Sequence, residues 1–207
     1  MRLTVPIIII IFCVIFKLIV NRKPKRDPDA EFIELERKAN LTPRKDISNL
    51  PYIVVPVGSL PLDLPIDKEE VRERQEIIRS MAEKKVLNLT GKTNTELKLE
   101  YGAPNINILS AADSNYTRLV QAISYLASDY YNAGYKNEAK ALLEYGISIK
   151  TDSKKNYLLL ASIYNKSNES EKISGLISCA ESIDSLLKDN IIQALKEIDS
   201  IPSDIDN

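Results

Sequence analysis

The chain has no histidine and no tryptophan, only 2 cysteines and only 6 glycines in 207 residues. Without imidazole, serine–histidine and cysteine–histidine nucleophiles are excluded, and so are histidine-containing zinc sites. Two cysteines are too few for an all-thiolate zinc site. A disulfide framework is disfavoured as well, because Cys13 lies in the most apolar stretch of the chain. Cys179, beside Ala180, reads as a small buried hydrophobe. The scarcity of glycine leaves no phosphate-binding loop. Gly91-Lys92-Thr93 lacks the earlier glycine of that motif, where Val86 stands, and reads as a turn with Thr93 or Asn94 capping a short helix through Leu99. Carboxylate pairs such as Glu96 with Glu100 and Glu169 with Glu171 are ordinary surface spacings on helices. The chain is therefore read as a non-enzyme, with no catalytic residues, no cofactor and no metal.

What the sequence does have, first, is one long hydrophobic run. From Leu3 to Val20 the only charge is Lys17. As a helix this run would span roughly 27 Å, close to the ~30 Å hydrocarbon core of a bilayer. Lys17 stands near the end of the run, where its stem can snorkel, and Pro6 falls in the first turn. No small-x-small cleavage site follows, and bulky Phe12 before Cys13 argues against a lipoprotein site. The expectation is an uncleaved single-pass anchor in the cell membrane, residues 1–26, spanning through residues 3–20.

Arg22, Lys23, Lys25 and Arg26 follow this run, against only Arg2 and the α-amine before it, so the positive-inside rule places the C-terminal domain in the cytoplasm. Residues 1–45 hold 10 basic and 5 acidic residues, a net of +5, leaving −6 for the remainder. That collar suits anionic headgroups, whereas the acidic remainder speaks against nucleic-acid binding.

Residues 27–66 combine a juxtamembrane helix, near Asp29–Lys38, with a Pro-rich segment. Prolines at 43, 51, 56, 61 and 65 make the apolar stretch from Pro51 to Gly58 extended, at best an edge strand, lying against the folded domain. Residues 67–114 form a helical connecting region. Asp67 is its N-cap candidate, with Glu69 and Glu70 in the first turn and apolar positions to about Lys85.

The strongest signal is internal repetition. Leu126-Ala127 with Tyr130 returns as Leu160-Ala161 with Tyr164, a period of about 34 residues. In the same register Leu142 meets Leu176, Leu143 meets Ile177, Gly146 meets Ala180, and Ile149 meets Ile183. Each unit reads as two helices, with Gly134 a left-handed end to the first. Residues 115–200 thus form the repeat domain, closed by a terminal helix from Asp184 to about Ser200, and residues 201–207 form a disordered tail. The helix after Asp67 is placed to cover the first repeat.

This spacing resembles the tetratricopeptide repeat (TPR) family. The matching residues are Leu126, Ala127, Tyr130, Gly134 and Ala139 in the first unit, and Tyr157, Leu160, Ala161, Tyr164 and Ala180 in the second. The second unit departs at Asn168, in place of the turn glycine, and at Ile173, in place of a small residue; the usual proline is absent from both. An anchor before a short repeat domain also looks like certain bacterial membrane proteins. The resemblance implies an antiparallel helix-pair array, so that with the apolar run and the closing helix the expected fold is all-α, an N-terminal transmembrane helix followed by a short TPR-like array with a terminal capping helix. It further implies a concave face lined by first helices, here Gln121, Ser124, Ser128, Tyr131 and Asn132 with Lys155, Asn165 and Lys166. Such a face suits a peptide or partner loop. The expected role is a membrane-anchored protein–protein interaction adaptor. The alternatives are a self-assembling homodimer that completes its own core, and a regulatory subunit of a membrane enzyme complex acting through the Pro-rich segment.

Overall fold

Nothing between Ile106 and Asn132 interrupts a helix: the stretch has no proline and no glycine, and its apolar residues recur at helical spacing. The computed structural model, which describes residues 11–17 and 28–200, forms a single unbroken helix there. The remaining helices are the helical residues 11–17 (α1), then α2 (Pro28–Asn40), α3 (Glu69–Ser80) and α4 (Asn94–Tyr101), followed by the long helix α5 (Ile106–Asn132). After it come α6 (Lys136–Ser148), α7 (Lys154–Lys166), α8 (Ile173–Glu181) and α9 (Lys188–Asp199). No strand occurs among the described residues, so the fold is all-α.

The order of packing is sequential. Helix α5 packs against α3 on one flank and α6 on the other, α6 against α7, and α9 against both α7 and α8. The repeat register predicts burial well. Leu126, Ala127, Tyr130, Leu160 and Ala161 are all fully buried, as are Ala139, Leu142, Leu143, Ile173 and Ala180. Gly146 lets α5 and α7 approach, because a Cβ there would meet Ile123 at 3.3 Å and the Asn156 amide at 3.4 Å. Helix α9 keeps the same phase. Its first residue, Lys188, lies one repeat length beyond Lys154 of α7, and its buried Ile191 and Leu195 occupy the register positions of Tyr157 and Ala161.

Three helix ends share one hydrogen-bond pattern. At the end of α5 the Tyr135 N–H donates to the Tyr130 carbonyl (2.9 Å) and Gly134 to Tyr131 (3.1 Å). At the end of α7 Glu169 donates to Tyr164 (2.8 Å) and Asn168 to Asn165 (3.3 Å); at the end of α6 Thr151 donates to Gly146 and Lys150 to Ile147. This is the Schellman arrangement, which needs a left-handed residue at its pivot. Gly134 supplies φ +92°, Asn168 φ +55° and Lys150 φ +61°. The departure from glycine at 168 is thus met by asparagine, a side chain that tolerates this conformation.

Several expectations are corrected. Asp67 does not cap α3: Lys68 holds the N-cap position without a side-chain bond, and Asp67 pairs instead with Arg72 (2.9 Å). That helix ends at Ser80, followed by a 3-10 turn over Met81–Glu83, short of Lys85. Thr93 does cap α4, in a reciprocal capping box with Glu96, and the helix runs on to Tyr101. The terminal helix starts at Lys188, not Asp184, and Cys179 is exposed, since it faces away from the side of α8 that buries Ile173, Leu176 and Ala180. Helix α5 crosses the boundary drawn at residue 115 because no breaking residue stands there.

The Pro-rich segment forms no strand. Its prolines remove N–H donors, and one cross-link, Ile53 N–H to the Val86 carbonyl (2.8 Å), replaces a ladder. Val55, Leu60 and Leu62 are buried in the main core all the same. A second core gathers Ile47, Leu87, Leu89, Leu97, Leu109 and Ala112. Of the expected anchor, residues 1–10 and 18–26 lie outside the described residues, as does the tail at 201–207. Ile11, Phe12, Val14, Ile15 and Phe16 are exposed on α1, and among the described residues no helix is long and apolar enough to cross a membrane.

The pivot geometry sets a measurable order. Lys150→Gly relieves a left-handed lysine and should stabilise the fold by about 0.5–1 kcal/mol in a denaturant titration, after the entropy of the added glycine is subtracted. Asn168→Gly should gain less than half of that.

Candidate partner-binding groove

A tandem helix-pair repeat places the first helices of successive units side by side, and here these are α5 and α7. Between them run two depressions that share Lys155. One, ≈ 440 Å³, is lined by Gln121, Ser124 and Tyr125 of α5 with Asp152 and Lys155. The other, ≈ 700 Å³, is lined by Ser128, Tyr131 and Asn132 of α5 with Lys154, Lys155, Leu158 and Leu159 of α7. Six of the eight residues expected at the groove therefore line it. Ser124, however, is buried rather than exposed, its carbonyl accepting the Ser128 hydroxyl at 2.9 Å. Asn165 lines neither depression and accepts a hydrogen bond from Ser170 (3.1 Å).

Lys166 also lines neither depression, but it joins Tyr131 across the two units. Its ammonium donates to the Tyr131 hydroxyl at 3.0 Å and lies 5.7 Å from the ring centroid. That donor holds the Tyr131 phenol below its usual range and raises the ammonium. Two further cations meet over Tyr125, the Arg74 guanidinium at 5.3 Å and the Lys155 ammonium at 5.1 Å from its centroid. Such contacts contribute about 0.5–1 kcal/mol each at exposed sites. Arg74 is ion-paired with Asp129, so the one carboxylate of this part of α5 is already engaged.

Sequence reasoning missed Tyr125, Arg74, Leu158 and Leu159. Tyr125 directly follows Ser124 and lies off the buried stripe, which was the available signal. Arg74 comes from α3, outside the repeats, and no repeat pattern points to it.

Other tyrosine hydroxyls fasten helices rather than facing the groove. Tyr130 donates to the Pro61 carbonyl (2.9 Å) and accepts from the buried Gln75 amide (2.8 Å). Tyr164 donates to Glu144 (2.8 Å), and burial with that neighbouring carboxylate raises its pKa. Tyr157 is fully buried with no partner for its hydroxyl, and desolvation pushes it up to about 12. Among the described residues no cluster of three metal-ligating side chains occurs.

No family model matches the chain, and no curated protein or solved structure matches it either.

The Tyr131–Lys166 contact has a spectroscopic consequence. In an ultraviolet titration Tyr131 should ionise earlier than an ordinary exposed tyrosine. Lys166→Met removes the ammonium that favours the phenolate and should move that earliest step to higher pH; an unchanged titration curve would mean the two side chains do not meet in solution.

Proposed function

We propose that the protein is a membrane-anchored adaptor of TPR type that holds a partner protein in the groove between α5 and α7. The observation that supports this reading is that Tyr125, Tyr131, Leu158 and Leu159 line two adjoining depressions between α5 and α7 that share Lys155. An exposed ring, Tyr125, and a half-buried one, Tyr131, beside aliphatic side chains and cations suit recognition of an extended segment, because each contributes area at little conformational cost. Residues 3–20 supply the anchor, and the basic residues at 22, 23, 25 and 26 set the C-terminal domain on the cytoplasmic side. No step of this role requires covalent chemistry.

Self-assembly has one observation in its favour. Leu186 is fully exposed and Leu187 half exposed ahead of α9, where the array ends. The third reading, regulation of a membrane enzyme through the Pro-rich segment, has less surface to use. Val55, Leu60 and Leu62 of that segment are turned into the core, and Val54 is its one large exposed apolar side chain among the described residues.

Crosslinked purification from membranes separates these readings. Intact protein should capture a partner that Tyr131→Ala/Lys155→Ala loses. Recovery of the protein alone from both would favour self-assembly, with a sedimentation coefficient that rises with concentration. In sealed vesicles, protease added from the extracytoplasmic side should leave the domain intact.

A further inference from the structure

We propose that the groove takes an acidic, extended segment of another protein, with two carboxylate positions separated by a short aliphatic stretch. This rests on the adaptor reading and adds to it the chemistry and spacing of the partner.

The groove's charge differs in sign from its surroundings. Residues 46–207 carry a net charge of −6, yet the larger depression is lined by Lys154 and Lys155 with no carboxylate. Lys166 stands at its far end against Tyr131. Lys155 and Lys166, like Lys154, form no ion pair among the described residues, so no carboxylate of the domain offsets their charge directly. The two groove ammonium groups rest on aromatic faces, Lys155 over Tyr125 and Lys166 over Tyr131. An ammonium has three donors, so each keeps some for an incoming carboxylate. The nearby acids are engaged: Asp129 with Arg74, and Asp152 by the Ser185 hydroxyl at 2.8 Å.

The spacing follows from helix geometry. Lys155 and Lys166 both stand on α7, and the helix rises roughly 16 Å from one to the other. An extended chain covers that distance in about five residues at ~3.3 Å each. Half-buried Leu158 and Leu159 lie between the two lysines and offer an apolar floor for the middle of the segment. The net negative charge of residues 46–207 disfavours an acidic stretch elsewhere on the domain, which favours selectivity over tight non-specific adhesion.

The test uses full-length protein in nanodiscs and the end-blocked, fluorescent peptide Asp-Glu-Ser-Leu-Val-Asp-Glu, alongside its Asn/Gln and Lys counterparts. Anisotropy should show binding of the acidic peptide only, weakening with salt. Lys155→Glu/Lys166→Glu should weaken it by about tenfold or more, with helicity and melting unchanged to show that the variant is folded. Tyr125→Ala should weaken binding and Tyr125→Phe retain it, since the ring face and not the hydroxyl holds Lys155.

Equal binding of the neutral peptide, lost in Tyr131→Ala, would overturn the acidic chemistry while supporting the groove. Failure of all three peptides would overturn the proposal and leave the adaptor reading to the crosslinking result. Removal of residues 201–207 should leave the affinity unchanged. A large gain on that removal would assign the groove to the chain's own Asp204-Ile205-Asp206 and overturn a partner in trans.

Discussion

The long helix α5 has to bury apolar side chains on more than one flank, and the rest of the domain is arranged to meet that need. Leu109, Ala112, Tyr116, Leu119, Ile123, Leu126, Ala127 and Tyr130 are all withdrawn from water along its length. At ~1.5–3 kcal/mol for each large apolar side chain, leaving any flank open would offset much of a small domain's net stability. Helix α3 and the Pro-rich segment cover one side, α6 the other, and α7 reaches its edge. This explains why a segment so poor in backbone donors is still fixed in place. Its carbonyls remain useful, and Pro61 accepts the Tyr130 hydroxyl while Leu64 accepts from the Gln75 amide.

The covering also determines where the groove can be. With α3 and α6 occupying two flanks of α5, the strip carrying Gln121, Tyr125, Ser128 and Asn132 is what remains beside α7. Arg74 then leans in from α3 over Tyr125. Helix α3 thus both covers α5 and contributes a side chain to the groove, through one guanidinium bound to Asp129.

Much of this was legible in the residues. The repeat register located the buried positions of α5 through α8, because small and large side chains must alternate where helices stack. Gly134 marked a helix end by its conformational freedom. The groove was legible to the extent that exposed first-helix positions follow from the same register: Gln121, Ser128, Tyr131, Asn132 and Lys155 all line it. Ser124 lines the smaller depression but is buried there, a depth that polarity alone does not reveal. Cys179 failed in the opposite direction, an apolar neighbourhood in sequence turning out to be one exposed face of α8. Asp67 was a plausible cap by residue type, but Arg72 about one turn on competes for its carboxylate. The start of α5 lies ahead of the repeat pattern, and the helix continues there for reasons that have nothing to do with the repeat. Tyr125 and Arg74 belong together only in three dimensions, since they come from elements far apart in the chain whose meeting no local pattern encodes.

The left-handed pivots at Gly134 and Asn168, together with the start of α9 at Lys188, keep a single phase through the C-terminal half. Because α9 enters in the register of α7, the block from residue 154 to residue 187 has interchangeable ends. A tandem copy of that block ahead of Lys188 would meet the same helix surfaces it left. The register therefore permits lengthening by duplication: each added copy would extend the row of first helices by one, while the N-terminal half and the closing helix stayed as they are.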